Sequence, residues 1–387
     1  MPPIDNKTLP SGHIKELDGI RGIAILMVVF FHYTVWTGSV SESPASIRAL
    51  FFPVQYFWSG VDLFFTLSGF LIGGIILDNY KNSCFFKTFW IRRACRILPA
   101  LALVLLTYYA MKAFLDPTRY EWIFLDEMPW WSYLTFTQNI MMAKAQCAGG
   151  ALGITWSLAV EEQFYLFAPI SIVVLGRKNW IRTLLFLAFF ALTLRILSMK
   201  IELINMALHT SLLARMDPLV GGVLLAVLSR NNKAYQFARE NRFLILMIFI
   251  LMLLCTIGLM WRQGFGLFMY AWLSFLFTTF LCLTILYRSS SLTYLLRMPW
   301  LMFFGGISYG LYLYHQIINL FIQLSLREGA RPSFFENAEA VTITAVAFIS
   351  SVFISWISLK YIEKPILRYG HHFSYKDKTP SNNRLSS

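Results

Sequence analysis

An arginine and a histidine stand eleven residues apart in the first apolar stretch of the sequence. Arg21 precedes the stretch, and His32 follows an apolar run that begins at Ile23. Eleven residues of α-helix rise about 16 Å, so a helix entering a membrane near Arg21 carries His32 to about the middle of a hydrocarbon layer. An imidazole can accept a proton near neutral pH. An ionisable group at that depth indicates a functional site.

Other ionisable residues interrupt later apolar stretches. Counting about 1.5 Å per residue from the predicted membrane surface places them, with His32, in the outer half of the bilayer. Charges at that depth are costly unless they are paired or hydrated, which predicts a shared polar cavity. The alternatives are that Arg215 and Asp217 neutralise one another or other charges in the bundle, that Asp62 is hydrated near the surface, and that His315 has a hydrogen-bonded structural role. The residues in question are Asp62, Glu161, Arg215, Asp217 and His315.

A basic cluster precedes the third apolar stretch. Arg93 and Arg96 are three residues apart, so both face one way if this segment is helical. Two planar guanidinium groups side by side suit a phosphate. A plain anchor at the cytoplasmic surface is the alternative interpretation.

Composition sets the class of protein. Of the 387 residues, 57% are hydrophobic and only 14% are charged, whereas about a quarter of the residues in a soluble domain carry charge. The sequence therefore predicts an all-α, polytopic integral membrane bundle. The net charge is +13, and most of the basic residues lie in short loops between apolar segments. This distribution is explained by the orientation of the chain in a membrane and not by a nucleic-acid partner. The five cysteines show no metal-ligand spacing, so neither a metal site nor a disulfide is expected.

About ten apolar segments are long enough to cross a membrane. With the N-terminus inside, 22 Lys and Arg residues fall on the cytoplasmic side and eight on the other, so both termini are predicted to be cytoplasmic. The chain then divides into an N-terminal segment (1–19), a membrane domain (20–368) with a long outer loop (116–154), and a disordered tail (369–387). The predicted spans are 20–38, 58–79, 98–115, 155–175, 180–198, 208–228, 243–261, 267–287, 302–325 and 340–361.

An ordered series of motifs resembles the membrane acyltransferase-3 family. The series covers residues 17 to about 368, nearly the whole chain. Each motif alone is weak, but seven in the same order are specific. They are Leu17-Asp18-Gly19-Ile20-Arg21-Gly22 with His32, Gly60-Val61-Asp62 through Ser68-Gly69-Phe70, Arg92-Arg93-Ala94-Cys95-Arg96, Trp156-Ser157-Leu158 to Glu161, Arg215-Met216-Asp217, Ser308-Tyr309-Gly310 to His315, and Ile362-Glu363-Lys364-Pro365.

The resemblance implies a ten-span protein that transfers an acyl group, commonly acetyl, from cytoplasmic acyl-CoA to a hydroxyl of a surface polysaccharide, lipid-linked sugar or glycoside. It implies that His32 is the essential histidine, and that Arg21, Arg93 and Arg96 serve the acyl-CoA donor. The expected location is a bacterial inner membrane. Many relatives carry a fused extracytoplasmic domain of the SGNH type, which this sequence does not show.

The expected mechanism uses His32 as a general base on the acceptor hydroxyl, with Glu161 or Asp62 as the carboxylate that orients the ring. An acyl-histidine intermediate is a less favoured variant. Arg215, Asp217 and His315 are assigned to substrate binding. A proton-coupled transporter is the competing hypothesis, because intramembrane His, Asp, Glu and Arg also form proton relays. That hypothesis predicts inverted repeats, and none is seen in the sequence.

Overall fold

The structure confirms the all-α prediction. A computed structural model describes residues 13–34, 52–147, 149–198, 209–261, 268–326 and 338–375. Every regular element in these ranges is helical. The helices are α1 (Lys15–Thr34), α2 (Gly60–Asn79), α3 (Phe85–Phe114), α4 (Glu121–Phe124), α5 (Trp130–Leu134), α6 (Gln138–Ala145), α7 (Trp156–Ser198), α8 (Met216–Ser229), α9 (Asn232–Glu240), α10 (Arg242–Trp261), α11 (Met269–Leu286), α12 (Pro299–Leu326), α13 (Ala338–Ser358) and α14 (Lys364–His371).

Seven segments of the described chain are helical, long and apolar enough to cross a membrane, so the protein is a multi-pass membrane protein. This criterion does not confirm ten spans. The helix α7 counts once although Gly176 bends it with a left-handed φ of 69°, at the point where two predicted spans meet. The helix α8 has only 14 residues. Buried amides such as Gln316 and Asn319 make α12 more polar than a typical span.

Glycines let two pairs of helices approach to backbone contact. A Cβ atom added at Gly19 on α1 would lie 1.9 Å from the carbonyl oxygen of Leu296, and one added at Gly305 on α12 would lie 1.9 Å from that of Asp18. Similarly, a Cβ at Gly69 on α2 would lie 2.0 Å from the carbonyl oxygen of Leu219 on α8. Small residues commonly permit such close packing in membranes. These contacts fix α1 against α12 and α2 against α8, and each of the four helices carries a candidate site residue.

Two predicted boundaries differ from the structure. The third span was expected from residue 98, but α3 begins at Phe85, so the arginine cluster lies within a continuous helix and Pro99 lies in its interior. The tail was expected to be disordered from residue 369. Instead Thr88 on α3 donates a hydrogen bond to the carbonyl of Ser374 (2.9 Å), and Arg92 donates to that of Phe373 (2.6 Å). Residues 373 and 374 are therefore held against α3, and residues 376–387 lie outside the described part.

The long loop contains three short helices, α4 to α6, that fold back onto the bundle. Ser132, Tyr133, Gln138 and Asn139 in this loop are all buried. The Gln138 amide donates to the carbonyl of Thr155, just before α7 (2.9 Å). The buried polar residues favour a segment that packs into the bundle beside the start of α7.

Candidate active site

Two histidines from distant parts of the sequence meet at the end of α1. Nδ1 of His32 lies 2.9 Å from the carbonyl oxygen of Val28 and 3.3 Å from Nε2 of His315 on α12. Nδ1 of His315 lies 2.8 Å from the carbonyl oxygen of Tyr312 and 3.0 Å from that of Leu311. The two rings stand with their centroids 5.0 Å apart.

These contacts assign the neutral tautomer of each ring. A carbonyl oxygen can only accept a hydrogen bond, so Nδ1 carries the proton in both histidines. Nε2 of His315 is then an acceptor for the Nδ1–H group of His32. The lone pair of His32 lies on Nε2, which makes that atom the basic site of the ring.

His32 lines a cavity of about 450 Å³, here called the histidine cavity. Its wall is largely aromatic. The His209 ring packs 4.7 Å from that of Trp156, and its Nδ1 lies 3.2 Å from the hydroxyl of Tyr270. Arg215 also lines this cavity and places its guanidinium carbon 4.3 Å from the centre of the Tyr270 ring. The cavity thus combines a base, a cation and flat apolar rings, which are groups that can hold and activate a polar organic molecule.

A second, narrower cavity of about 110 Å³ is lined by three arginines and is here called the arginine cavity. Glu161 belongs to its wall and accepts a short hydrogen bond from Ser68. The Tyr165 hydroxyl donates to the same Ser68 oxygen (3.0 Å). Arg93 and Arg96 are brought here by consecutive turns of α3, as their spacing predicts for a helix. The arginines are Arg21, Arg93 and Arg96.

Two buried ion pairs lie within the described part of the bundle. Arg215 donates to Asp62 (2.7 Å), and both side chains are almost completely buried. Arg195 holds Asp217 with two hydrogen bonds, of 3.1 and 2.8 Å. Arg215 and Asp217 are therefore neutralised by other charged groups of the bundle and not by one another. Such pairs hold charges that would otherwise be costly to bury.

The structure thus separates residues that the sequence placed in one shared cavity. His32 and Arg215 line the histidine cavity, with His315 packed behind His32. Glu161 lies in the arginine cavity. The expected orienting role of Glu161 or Asp62 is not what the geometry shows, since Asp62 accepts from Arg215 and Glu161 accepts from Ser68. The Val28 carbonyl and His315 orient the His32 ring instead. Within the described residues, no cluster of His, Cys, Asp and Glu could hold a metal ion.

The sequence profile described as an acyltransferase domain, that of acyltransferase family 3, matches residues 14–360. The chain belongs to the acyltransferase-3 family. The matched range contains α1 to α13 and both cavities. The acyltransferase-3 resemblance expected from the motifs is therefore confirmed.

Similar curated proteins carry related names. A provisionally named O-acetyltransferase of Staphylococcus aureus strain COL is 25% identical over 385 residues. The O-acetyltransferase OatA of strain NCTC 8325 is 24% identical over 383 residues. Each alignment covers 92% of this chain but 58% of the relative, so the chain spans little more than half the length of these proteins. No solved structure matches the chain significantly.

Three residues of this acyltransferase-3 domain gain importance only from the structure. Tyr312 lines both cavities, although only its neighbour His315 was considered as a site residue. Its position three residues before His315 on one helix face was the available signal. Arg195 stands in an apolar stretch of the sequence, but its pairing with Asp217 could not be read from the sequence. His209 stands next to a stretch outside the described residues, and nothing in its local sequence marks it.

Proposed function

We propose that this chain is an integral membrane O-acyltransferase that moves an acyl group, most simply acetyl, from acyl-CoA to a hydroxyl of a carbohydrate or glycoside. The observation that carries the proposal is the juxtaposition of an arginine-lined cavity with a histidine-lined cavity. The two share the wall residues Val61 and Tyr312. Membership of the acyltransferase-3 family and the O-acetyltransferase names of the relatives support this reaction.

The arginine cavity suits the donor. The guanidinium groups of Arg93 and Arg96 can bind phosphate oxygens in a planar, two-pronged manner, which a CoA donor would supply. The cavity is small, with a volume of about 110 Å³. The charge bias of the sequence puts this arginine cluster near the cytoplasmic face, where acyl-CoA is found. An inner bacterial membrane and a cell-surface polysaccharide, lipid-linked sugar or glycoside acceptor belong to the same proposal.

The histidine cavity suits the acceptor and the transfer step, because it contains the proposed base. Nε2 of His32 accepts the proton of the acceptor hydroxyl while the hydroxyl oxygen forms a bond to the thioester carbonyl carbon. The carbon–sulfur bond then breaks, and the imidazolium returns the proton to the departing thiolate. Nε2 of His315 accepts from the Nδ1–H group of His32, and this tautomer puts the lone pair of His32 on its own Nε2 atom. In the variant route through an acyl-histidine, the same Nε2 atom would attack the thioester first.

A proton-coupled transporter remains the competing function. It also uses intramembrane ionisable groups, but it has no evident use for three arginines around one narrow cavity. Family membership favours the acyltransferase.

The decisive experiment is a transfer assay with the purified protein in lipid nanodiscs. Acetyl-CoA labelled in its acetyl group is incubated with a panel of neutral glycosides and lipid-linked sugars. We expect label to appear in an acceptor as a base-labile ester, with release of one free CoA thiol per ester formed. The His32→Gln protein is the matched control and should form the ester at least about 100-fold more slowly. Wild-type protein that binds acetyl-CoA but acylates no acceptor in the panel, nor any in a crude envelope extract, would contradict the proposal.

A further inference from the structure

One residue on α2 and one on α12 border both cavities. Val61 and Tyr312 are the only residues that line both cavities in the described part of the chain. The Tyr312 hydroxyl donates to the carbonyl oxygen of Ile154 (2.9 Å) and lies 2.5 Å from the hydroxyl of Ser157. Its ring packs edge-on against Phe64, with centroids 6.3 Å apart. The tyrosine is therefore held at its hydroxyl and along its ring.

The acyl group has to pass these two residues if the proposed function is correct. Arg21 lines the arginine cavity, and His32, eleven residues further along α1, lines the histidine cavity. That separation along a helix is about 16 Å. A donor whose phosphates are bound by the arginines would therefore have to extend its thioester end from one cavity into the other. Val61 on α2 and Tyr312 on α12 border both cavities, so they lie beside that path.

We propose that Val61 and Tyr312 select the acyl group by size, admitting a short group such as acetyl and excluding longer ones. The inference rests on the proposed function and deepens it, because it assigns the choice of acyl group to two residues that make no part of the chemistry. Close-packed side chains resist displacement, and a tyrosine held at both ends cannot turn aside as a free ring could. An extra methylene in a confined apolar site changes specificity by about 10-fold to 200-fold.

Substitution of Val61 tests the filter from the α2 side, on a helix that carries neither His32 nor His315. Val61→Ala removes two methyl groups from the wall. The ratio of kcat/KM for butyryl-CoA to that for acetyl-CoA should rise by about 10-fold or more. Val61→Ile narrows the passage and should lower the same ratio while acetyl transfer continues. Val104→Ala is the matched control, because Val104 is an equally buried valine of the same core that lines neither cavity. The butyryl-to-acetyl ratio of kcat/KM in Val104→Ala should equal that of the wild type.

A second variant tests the α12 side. Tyr312→Phe keeps the ring but removes the hydrogen bonds to Ile154 and Ser157, so the ring gains freedom to move. The butyryl-to-acetyl ratio should rise by severalfold, while binding of either acyl-CoA stays within about twofold of wild type because the arginines are intact. A ratio that stays at the wild-type value in both Val61→Ala and Tyr312→Phe would overturn the filter.

Two further outcomes separate the filter from the reaction itself. If Val61→Ala lowers transfer of both acyl groups equally, Val61 supports the fold and the filter is refuted. If the wild-type protein transfers no acyl group from any acyl-CoA, both the proposed function and the filter are refuted. Transfer of acetyl by wild type with an unchanged ratio in the variants refutes only the filter.

Discussion

At the scale of single residues, His32 is the side chain whose chemistry is hardest to replace. We expect His32→Gln to lower acyl transfer by about 100-fold or more, the usual scale for the loss of a general base. Glutamine can still form hydrogen bonds near Val28 and His315, but its amide does not accept a proton at neutral pH. The measurement is the initial rate of ester formation together with the dissociation constant of acyl-CoA, which should stay near that of wild type.

The control for this substitution is His371→Gln, because His371 is an exposed histidine at the end of α14. It should leave the rate unchanged. A His32→Gln protein that folds, binds donor and acylates at a near-normal rate would remove His32 from the mechanism. His315 would then be the next candidate, since it is the other imidazole of the pair.

The two arginines on α3 should govern donor affinity. Replacing both Arg93 and Arg96 with Ala removes charge-assisted hydrogen bonds, each of about 1.5–3 kcal/mol, so acyl-CoA should bind at least about 10-fold more weakly. A Lys pair should restore binding only in part, because lysine lacks the planar fork. Calorimetric titration of acetyl-CoA into detergent-solubilised protein measures the effect.

The matched control for the arginine pair is the double variant Arg177→Ala and Arg182→Ala. These two arginines are exposed and line none of the described cavities, yet their removal changes the net charge equally. Donor affinity should be unaffected. If both double variants weaken binding alike, the effect of Arg93 and Arg96 is long-range attraction and not a phosphate site. Weakened binding of the acceptor alone would reverse the assignment of donor and acceptor.

At the scale of helices, neighbouring glycines on α12 give opposite predictions. A Cβ at Gly305 would meet the backbone carbonyl of Asp18 on α1, whereas one at Gly306 would meet no atom within 4 Å. Alanine normally stabilises a helix interior by about 1 kcal/mol relative to glycine. We therefore expect Gly306→Ala to keep or raise the melting temperature and Gly305→Ala to lower it. Gly305→Ala should also lower acyl transfer, because it separates α1, with His32, from α12, with His315.

Thermal melting of the two purified proteins, followed by size-exclusion chromatography, compares them directly. Equal melting temperatures and equal activities would show that the close approach of α1 and α12 is not required to hold the two histidines together.

The helices were largely predictable from sequence, but their partners were not. Apolar runs of sufficient length predict helices because a membrane leaves no alternative for the backbone. The spacing of Arg93 and Arg96 predicted their common direction, since both lie on one helix. The contact of His32 with His315 joins residues 283 positions apart and depends on how α1 packs on α12. The pairing of Arg195 with Asp217 likewise depends on tertiary packing, and for this reason a single cavity was expected where the structure has two.

At the scale of the whole molecule, orientation in the membrane decides which cavity faces acyl-CoA. The loop with α4, α5 and α6 is predicted to be extracytoplasmic, and Cys147 follows α6 within it. Burial, assisted by the carboxylate of Asp126, raises the pKa of the Cys147 thiol. Below that pKa the reactive thiolate fraction grows about tenfold per pH unit, so Cys147 should react slowly at pH 7 and faster at pH 8.5.

A variant that retains only Cys147 should therefore be labelled on intact cells by a membrane-impermeant maleimide, and more completely at pH 8.5. A variant that retains only Cys84, which lies in the predicted cytoplasmic loop between α2 and α3, is the matched control and should be labelled only after the membrane is opened. The charge bias of 22 basic residues against eight gives the physical reason for this direction. The opposite result, with Cys84 labelled on intact cells and Cys147 protected at both pH values, would invert the topology. The arginine cavity would then face the cell exterior, where a CoA donor could not supply it.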